Sequence, residues 1–179
     1  MTPTFEDPVP HLLAELGIDP ATLQQRGLRR CEEARELLLA DSNAEGREFL
    51  LTPAATRAWQ RLKAAAAQDG ITLVLESAFR SVERQAEILR GKLAAGQRIE
   101  DALRLVAPPG YSEHHTGRAV DIGTPGSVAL QEAFETTSAY AWLQRHAAAQ
   151  GFVLSYPRGN ADGYAYEPWH WCHHGPGKA

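Results

Sequence analysis

Two short runs in this 179-residue chain carry residue types suited to hydrolytic chemistry. One is Tyr111-Ser112-Glu113-His114-His115-Thr116-Gly117-Arg118-Ala119-Val120-Asp121, and the other is Glu167-Pro168-Trp169-His170 near the C-terminus. Imidazoles with carboxylates suit a catalytic zinc, which takes three protein ligands and keeps a fourth position open. A glutamate three residues before a candidate ligand, as Glu167 stands to His170, suits a base for the attacking water. Spacing alone does not separate His114 from its neighbour His115. Asp121 taken singly could cap a turn, and Arg80 taken singly could form a surface ion pair.

The elements that must position these residues follow from periodicity. Residues 1–50 are expected to be a helical extension of the same domain, with Asp19-Pro20 as N-cap and first-turn proline. The stretch 30–39 is rich in Glu, Arg and Leu, which favours helix. After Thr52-Pro53, the apolar Ala55, Trp59, Leu62 and Ala66 recur at helical spacing. Asp69-Gly70 ends that helix, and 71–75 is a short apolar, partly β-branched run that predicts a buried strand. Residues 77–81 read as a turn, with Ser81 capping a helix whose inner face is Ala86, Leu89 and Leu93. A shorter helix is expected over 99–106, broken by Pro108-Pro109-Gly110. Residues 118–122 alternate polar and apolar, as a half-buried strand does, with Asp121 and Ala119 on one face. A helix is expected over 134–150, stopped by Gly151, then a strand at 152–154 and an extended segment at 164–170. The fold class is α+β: N-terminal helices packed on a small antiparallel sheet that carries a single zinc site.

Composition sets the outer bounds. With 44% hydrophobic and 22% charged residues, the chain is an ordinary globular sequence long enough for one domain and its core. A net charge of -4 without a Lys/Arg cluster argues against nucleic-acid or anionic-membrane partners. No segment approaches the roughly 18 apolar residues of a membrane span. Cys31 and Cys172 lie far apart, form no disulfide framework and fit a reducing compartment. The first ten residues carry Glu6 and Asp7 with no basic or apolar leader region, so the expected location is cytoplasmic, or periplasmic if a leader has been removed.

Three segments taken together, Ser77-Ala78-Phe79-Arg80-Ser81, Ser112-x-His114-x-x-Gly117-x-Ala119-x-Asp121 and Glu167-x-x-His170, resemble the D-alanyl-D-alanine carboxypeptidase-like zinc peptidases of the VanY and VanX type. The resemblance runs from about residue 50 to 175, which places the peptidase domain at 51–179. It implies one Zn2+ ion held by His114, Asp121 and His170, with Glu167 as the base and Arg80 facing the developing oxyanion. It also implies Ser112, Gln85 and Trp169 on the substrate side, with Ser112 able to hold the His114 loop. Tyr166, Trp169 and Trp171 are expected to wall the pocket. Cys172 would share a face with His170 and is expected to be a buried structural thiol. His173 and His174, ahead of Gly175-Pro176-Gly177, are expected to face solvent.

The implied substrate is a peptidoglycan-derived peptide ending in a D-amino acid. In the cytoplasm that peptide must be soluble, which favours an L,D-carboxypeptidase trimming muropeptide tetrapeptides to tripeptides. The alternatives are a D,D-carboxypeptidase, a D-Ala-D-Ala dipeptidase, an L-Ala–D-Glu endopeptidase and a non-catalytic peptidoglycan-binding relative. The presence of both Glu167 and Arg80 speaks against the last, because binding alone needs neither.

Overall fold

The computed structural model describes residues 7–175. The first six residues, on which much of the leader reading rests, and Pro176-Gly177 lie outside the described residues. Helix α1 (Val9–Glu15) is followed by α2 (Pro20–Gln25), whose Ala21 amide donates to Asp19 Oδ1 at 2.9 Å. The helix expected over 30–39 is absent. Residues 28–37 are irregular, and β1 (Leu38–Ser42) pairs antiparallel with β2 (Glu48–Leu51). The reason is tertiary. The Cys31 and Ala34 amides donate to the Gly110 and His115 carbonyls, each at 2.8 Å, and the Glu33 carboxylate accepts from the Val82 amide. Helix preferences are well under 1 kcal/mol per residue and yield to such pairing.

Helix α3 (Pro53–Gln68) buries the Ala55, Trp59, Leu62 and Ala66 stripe. Strand β3 (Val74–Ser77) begins later than the apolar run that predicts it and takes in Ser77, which reads from sequence as turn. Ser81 Oγ accepts from the Arg84 amide at 3.1 Å and starts α4 (Val82–Ala94). The expected helix at 99–106 shrinks to one turn, α5 (Ile99–Ala102). Strand β4 (Ala119–Gly123) then leads through a 3-10 turn (Glu132–Thr136) to α6 (Ser138–His146) and a second 3-10 turn (Ala147–Gln150). The single helix expected over 134–150 is divided because the Thr137 hydroxyl caps a new start, accepting from the Tyr140 amide at 3.1 Å. Strands β5 (Phe152–Leu154) and β6 (His170–His173) complete the second sheet.

That sheet has the order β3-β4-β6-β5, and all its neighbours are antiparallel. Its register sets Ser77, Asp121 and His170 in one row. Strand alternation turns Val120, Ile122 and Trp171 to the opposite face. There they join the core formed with Trp59, Leu62, Trp142, Leu143 and Phe152. A second apolar cluster ties α1 and α2 to α4 and α5 through Val9, Leu12, Leu23, Val82 and Leu89. All five β4 residues are buried, so the strand is not half-exposed as its alternation suggests. Its one polar side chain, Asp121, is buried at the cleft rather than on an open face.

Two aromatic and histidine expectations change accordingly. Trp171 belongs to the core and its indole N–H donates to the Pro168 carbonyl at 3.0 Å. His173 is buried in β6 against Phe152, with ring centroids 5.2 Å apart, while His174 is exposed as expected. Among the described residues no helix is long and apolar enough to cross a membrane.

Gly117, which closes the His114 turn, is a position where the fold leaves little room for a side chain. Its φ is +62°, and a Cβ there would lie 2.9 Å from Leu37, 3.1 Å from Ala34 and 3.2 Å from Thr52. Its carbonyl also accepts from the Thr52 amide at 2.8 Å. Gly117→Ala should therefore cost about 1–3 kcal/mol of stability. Urea denaturation measures this, and an unchanged midpoint would show that the turn tolerates a Cβ.

Candidate active site

His114 lies on a 3-10 turn (Glu113–Thr116) that Ser112 opens and Gly117 closes. Ser112 Oγ accepts from the His114 amide at 3.3 Å, so its hydroxyl holds the loop while lining the cleft. His114 Nδ1 lies 2.7 Å from the Ala78 carbonyl oxygen, to which it can only donate, and Nε2 is left to face Asp121 Oδ2 at 3.2 Å. His115 uses both ring nitrogens elsewhere. Its Nδ1 is 2.6 Å from the Arg80 carbonyl oxygen, and its Nε2 accepts from the Gly110 amide at 3.1 Å. Of the two neighbours, the fold brings only His114 into the cluster.

Asp121 and His170 meet across the β4–β6 pairing. Asp121 Oδ1 is 3.0 Å from His170 Nδ1, and Arg80 Nη2 is 3.9 Å from Oδ2. His114, Asp121 and His170 each offer a ligand atom within 4.8 Å of the other two, and all three residues are buried. Two imidazole nitrogens and one carboxylate oxygen converging in this way fit a divalent ion such as zinc.

The outer face of His170 is held by a residue that sequence reasoning leaves without a role. Its Nε2 is 2.9 Å from Glu113 Oε2, which also accepts from Ser155 Oγ at 2.5 Å. A carboxylate on the far nitrogen fixes the ring and its tautomer, as outer partners of metal-bound histidines do. Glu113 stands beside His114 in the motif, but its partner is 57 residues away and no local pattern reveals it.

Arg80 is rigidly mounted. Its Nη1 donates to Gln85 Oε1 and its Nη2 to Ser77 Oγ, both at 3.0 Å. Gln85, fully buried, donates in turn to the Ala107 carbonyl at 2.6 Å. The Gln85 amide therefore braces the guanidinium; both of its polar ends are occupied before any substrate arrives. Glu167 Oε2 lies 3.8 Å from His170 Nδ1. Burial pushes the Glu167 carboxyl up to about 7, against the opposing pull of His170 and Arg80.

A cleft of about 580 Å³ opens onto these groups, within the usual range for small-ligand sites. Tyr156, Tyr164, Tyr166 and Trp169 wall it, and Lys92 lies at its edge. Trp169 and Tyr166 are thus where the sequence places them. The buried Tyr164 hydroxyl has no hydrogen-bond partner among the described residues.

Residues 48–176 match the family model described as VanY, D-alanyl-D-alanine carboxypeptidase. The chain belongs to the VanY family. Over 110 residues it is 40% identical to the putative carboxypeptidase YodJ of Bacillus subtilis, covering 59% of this chain and 40% of that protein. The chain thus spans less than half the length of that relative. Among solved structures, the LD-carboxypeptidase LdcB superposes with a TM-score of 0.73 at 32% identity, covering 81% of this chain and 71% of LdcB. A vancomycin-resistance D,D-pentapeptidase VanY, solved with Zn(II), gives 0.62 at 30% identity over 78% of this chain and 79% of that one.

Electrostatics of this VanY-family site set the proton balance of ion binding. Burial works against a charged His170, but hydrogen bonds that its ring donates to Asp121 and Glu113 outweigh it and raise its pKa to about 10. Near neutral pH an entering cation must displace that proton, so affinity should rise with pH and zinc uptake should release protons. Calorimetry in two buffers of different ionisation enthalpy reads the release; its absence at pH 7 would contradict this charge state. Glu113→Ala should weaken zinc about 10- to 100-fold in chelator competition, with Glu113→Gln retaining part of the affinity. Equal affinities in all three proteins would remove Glu113 from the site.

Proposed function

We propose that this chain is a zinc-dependent carboxypeptidase that removes the terminal D-alanine from peptidoglycan-derived peptides. The observation that carries the reading is a buried His114–Asp121–His170 cluster at the floor of a cleft that Glu167 and Arg80 also line. Zinc held by those three residues would supply a Lewis acid for the scissile carbonyl and lower the pKa of the attacking water. Glu167, raised toward neutrality by burial, is suited to take a proton from that water and to pass it to the departing amine. The braced Arg80 guanidinium is suited to face the negative charge that gathers on the carbonyl oxygen. Ser112 keeps the His114 turn in place, and Trp169 and the cleft tyrosines flank the peptide and exclude water.

For specificity we favour L,D-cleavage, a tetrapeptide losing D-alanine to give a tripeptide. The support is the likeness to LdcB, at a higher TM-score than the VanY D,D-pentapeptidase. D,D-cleavage is the second reading, supported by the likeness to that VanY structure. Two free thiols, Cys31 and Cys172, support a reducing compartment such as the cytoplasm, where soluble muropeptides are the accessible substrates.

Incubating the zinc-loaded protein with muramyl tetrapeptide and pentapeptide, then weighing the products, decides between the two. Loss of one alanine from the tetrapeptide supports L,D-cleavage, and loss from the pentapeptide alone sinks it. Glu167→Gln should lower kcat about 10²- to 10⁴-fold while zinc stays bound. Arg80→Ala should lower it about 10²- to 10³-fold. Full turnover by the Glu167 variant would overturn the assigned base.

A further inference from the structure

Beyond Glu113 lies a second group of metal-binding side chains that the proposed hydrolysis does not use. Glu113, Cys172 and His174 each offer a ligand atom within 4.8 Å of the other two. Glu113 Oε2 is engaged with His170 and Ser155, while Oε1 takes part in neither bond. Cys172 is 1% exposed and paired with Ala119 in the sheet register, so the thiol is fixed by the fold. Its strand places it on the same face as His170, two residues away. His174 follows the end of β6 and is exposed, which gives an ion a route from solvent.

We propose that Glu113, Cys172 and His174 form a second, outer site for a borderline-soft divalent cation such as Zn2+, and that filling it inhibits hydrolysis. The donor set of one sulfur, one nitrogen and one oxygen selects zinc or cadmium over magnesium or calcium, which demand all-oxygen shells. Binding forms a metal–sulfur bond and releases the thiol proton to solvent. The inhibition rests on the function proposed above, because it acts through Glu113. An ion on that carboxylate draws its charge away from His170 and loosens the support of an inner ligand. The binding itself does not depend on that function.

The test starts from protein under reducing conditions, dialysed to one equivalent of Zn2+, and titrates further Zn2+ at fixed pH. Native mass spectrometry counts the ions while hydrolysis of the preferred peptide is followed. A second equivalent should bind as turnover falls. His174→Ala should keep the first equivalent and the basal rate, and raise the inhibitory zinc concentration at least about tenfold. With Cd2+, the native protein should show thiolate-to-metal ultraviolet absorption at the second equivalent, and Cys172→Ser should lack it. Binding of only one equivalent, or the same inhibition in the His174 variant, overturns the proposal. A protein that takes up two ions yet cleaves no peptide at one equivalent would refute the assigned activity and leave the outer site standing.

Discussion

Everything around the cleft answers to one buried charge, the carboxylate of Asp121. It lies in β4, 3% exposed, where an ionised group without partners would cost several kcal/mol. Burial favours the protonated acid, yet His114 and His170 hold Asp121 well below the usual carboxylate range. A carboxylate that remains charged at such a depth requires positive charge beside it. Here the demand is met by Arg80 and a protonated His170, or by a divalent ion that replaces the proton. Asp121 and His170 thus belong both to the charge balance without an ion and, with His114, to the set able to hold one. Binding exchanges one balance for another, and no charge is left stranded.

The sheet register makes that balance geometrically unavoidable. Ser77, Asp121 and His170 occupy one row across β3, β4 and β6, so forming the sheet places the Arg80 acceptor, the central carboxylate and one imidazole side by side. Of the three candidate ligands, only His114 comes from outside the strands. It is brought in by a turn that needs Ser112 at its start, a left-handed Gly117 at its end, and the Ala78 carbonyl against its ring. Sites mounted on strands and short capped turns hold their geometry better than sites on long loops.

Local patterns were the legible part of this arrangement. The α3 stripe, the Ser81 cap, the His114–Asp121 spacing and the Glu167–His170 spacing each depend on residues a few positions apart. What the sequence concealed depends on distant partners. Residues 30–39 favour helix by composition but are held out of it by the loop carrying Gly110 and His115, and Thr137 interrupts a helix that periodicity runs straight through. Trp171 and His173 look like cleft and surface residues until the alternation of β6 is fixed by its neighbours. Glu113 and Gln85 were similarly opaque, because one acts on a ring 57 residues away and the other through the Arg80 it braces. Motif spacing reveals the groups proposed to meet an ion more readily than the groups that aim them.

That difference bears on how the site divides its tasks. His170 and Glu167 sit three residues apart, but only His170 is in β6; Glu167 precedes the strand, and its amide donates to the Tyr156 carbonyl at 3.1 Å. The proposed ligand is therefore fixed by the sheet, while the proposed base is fixed by a loop. A ligand must not move if the ion is to keep one geometry, whereas a base must reach first toward the water and then toward the departing amine. Burial serves both residues in opposite ways. Around His170 it is overcome by two carboxylates, so that the ring stays charged until an ion arrives. Around Glu167 it prevails and brings the carboxyl near neutrality, the range in which a group can both accept and return a proton. In the proposed reaction, one buried pocket would thus prepare one neighbour to bind metal and the other to carry the proton.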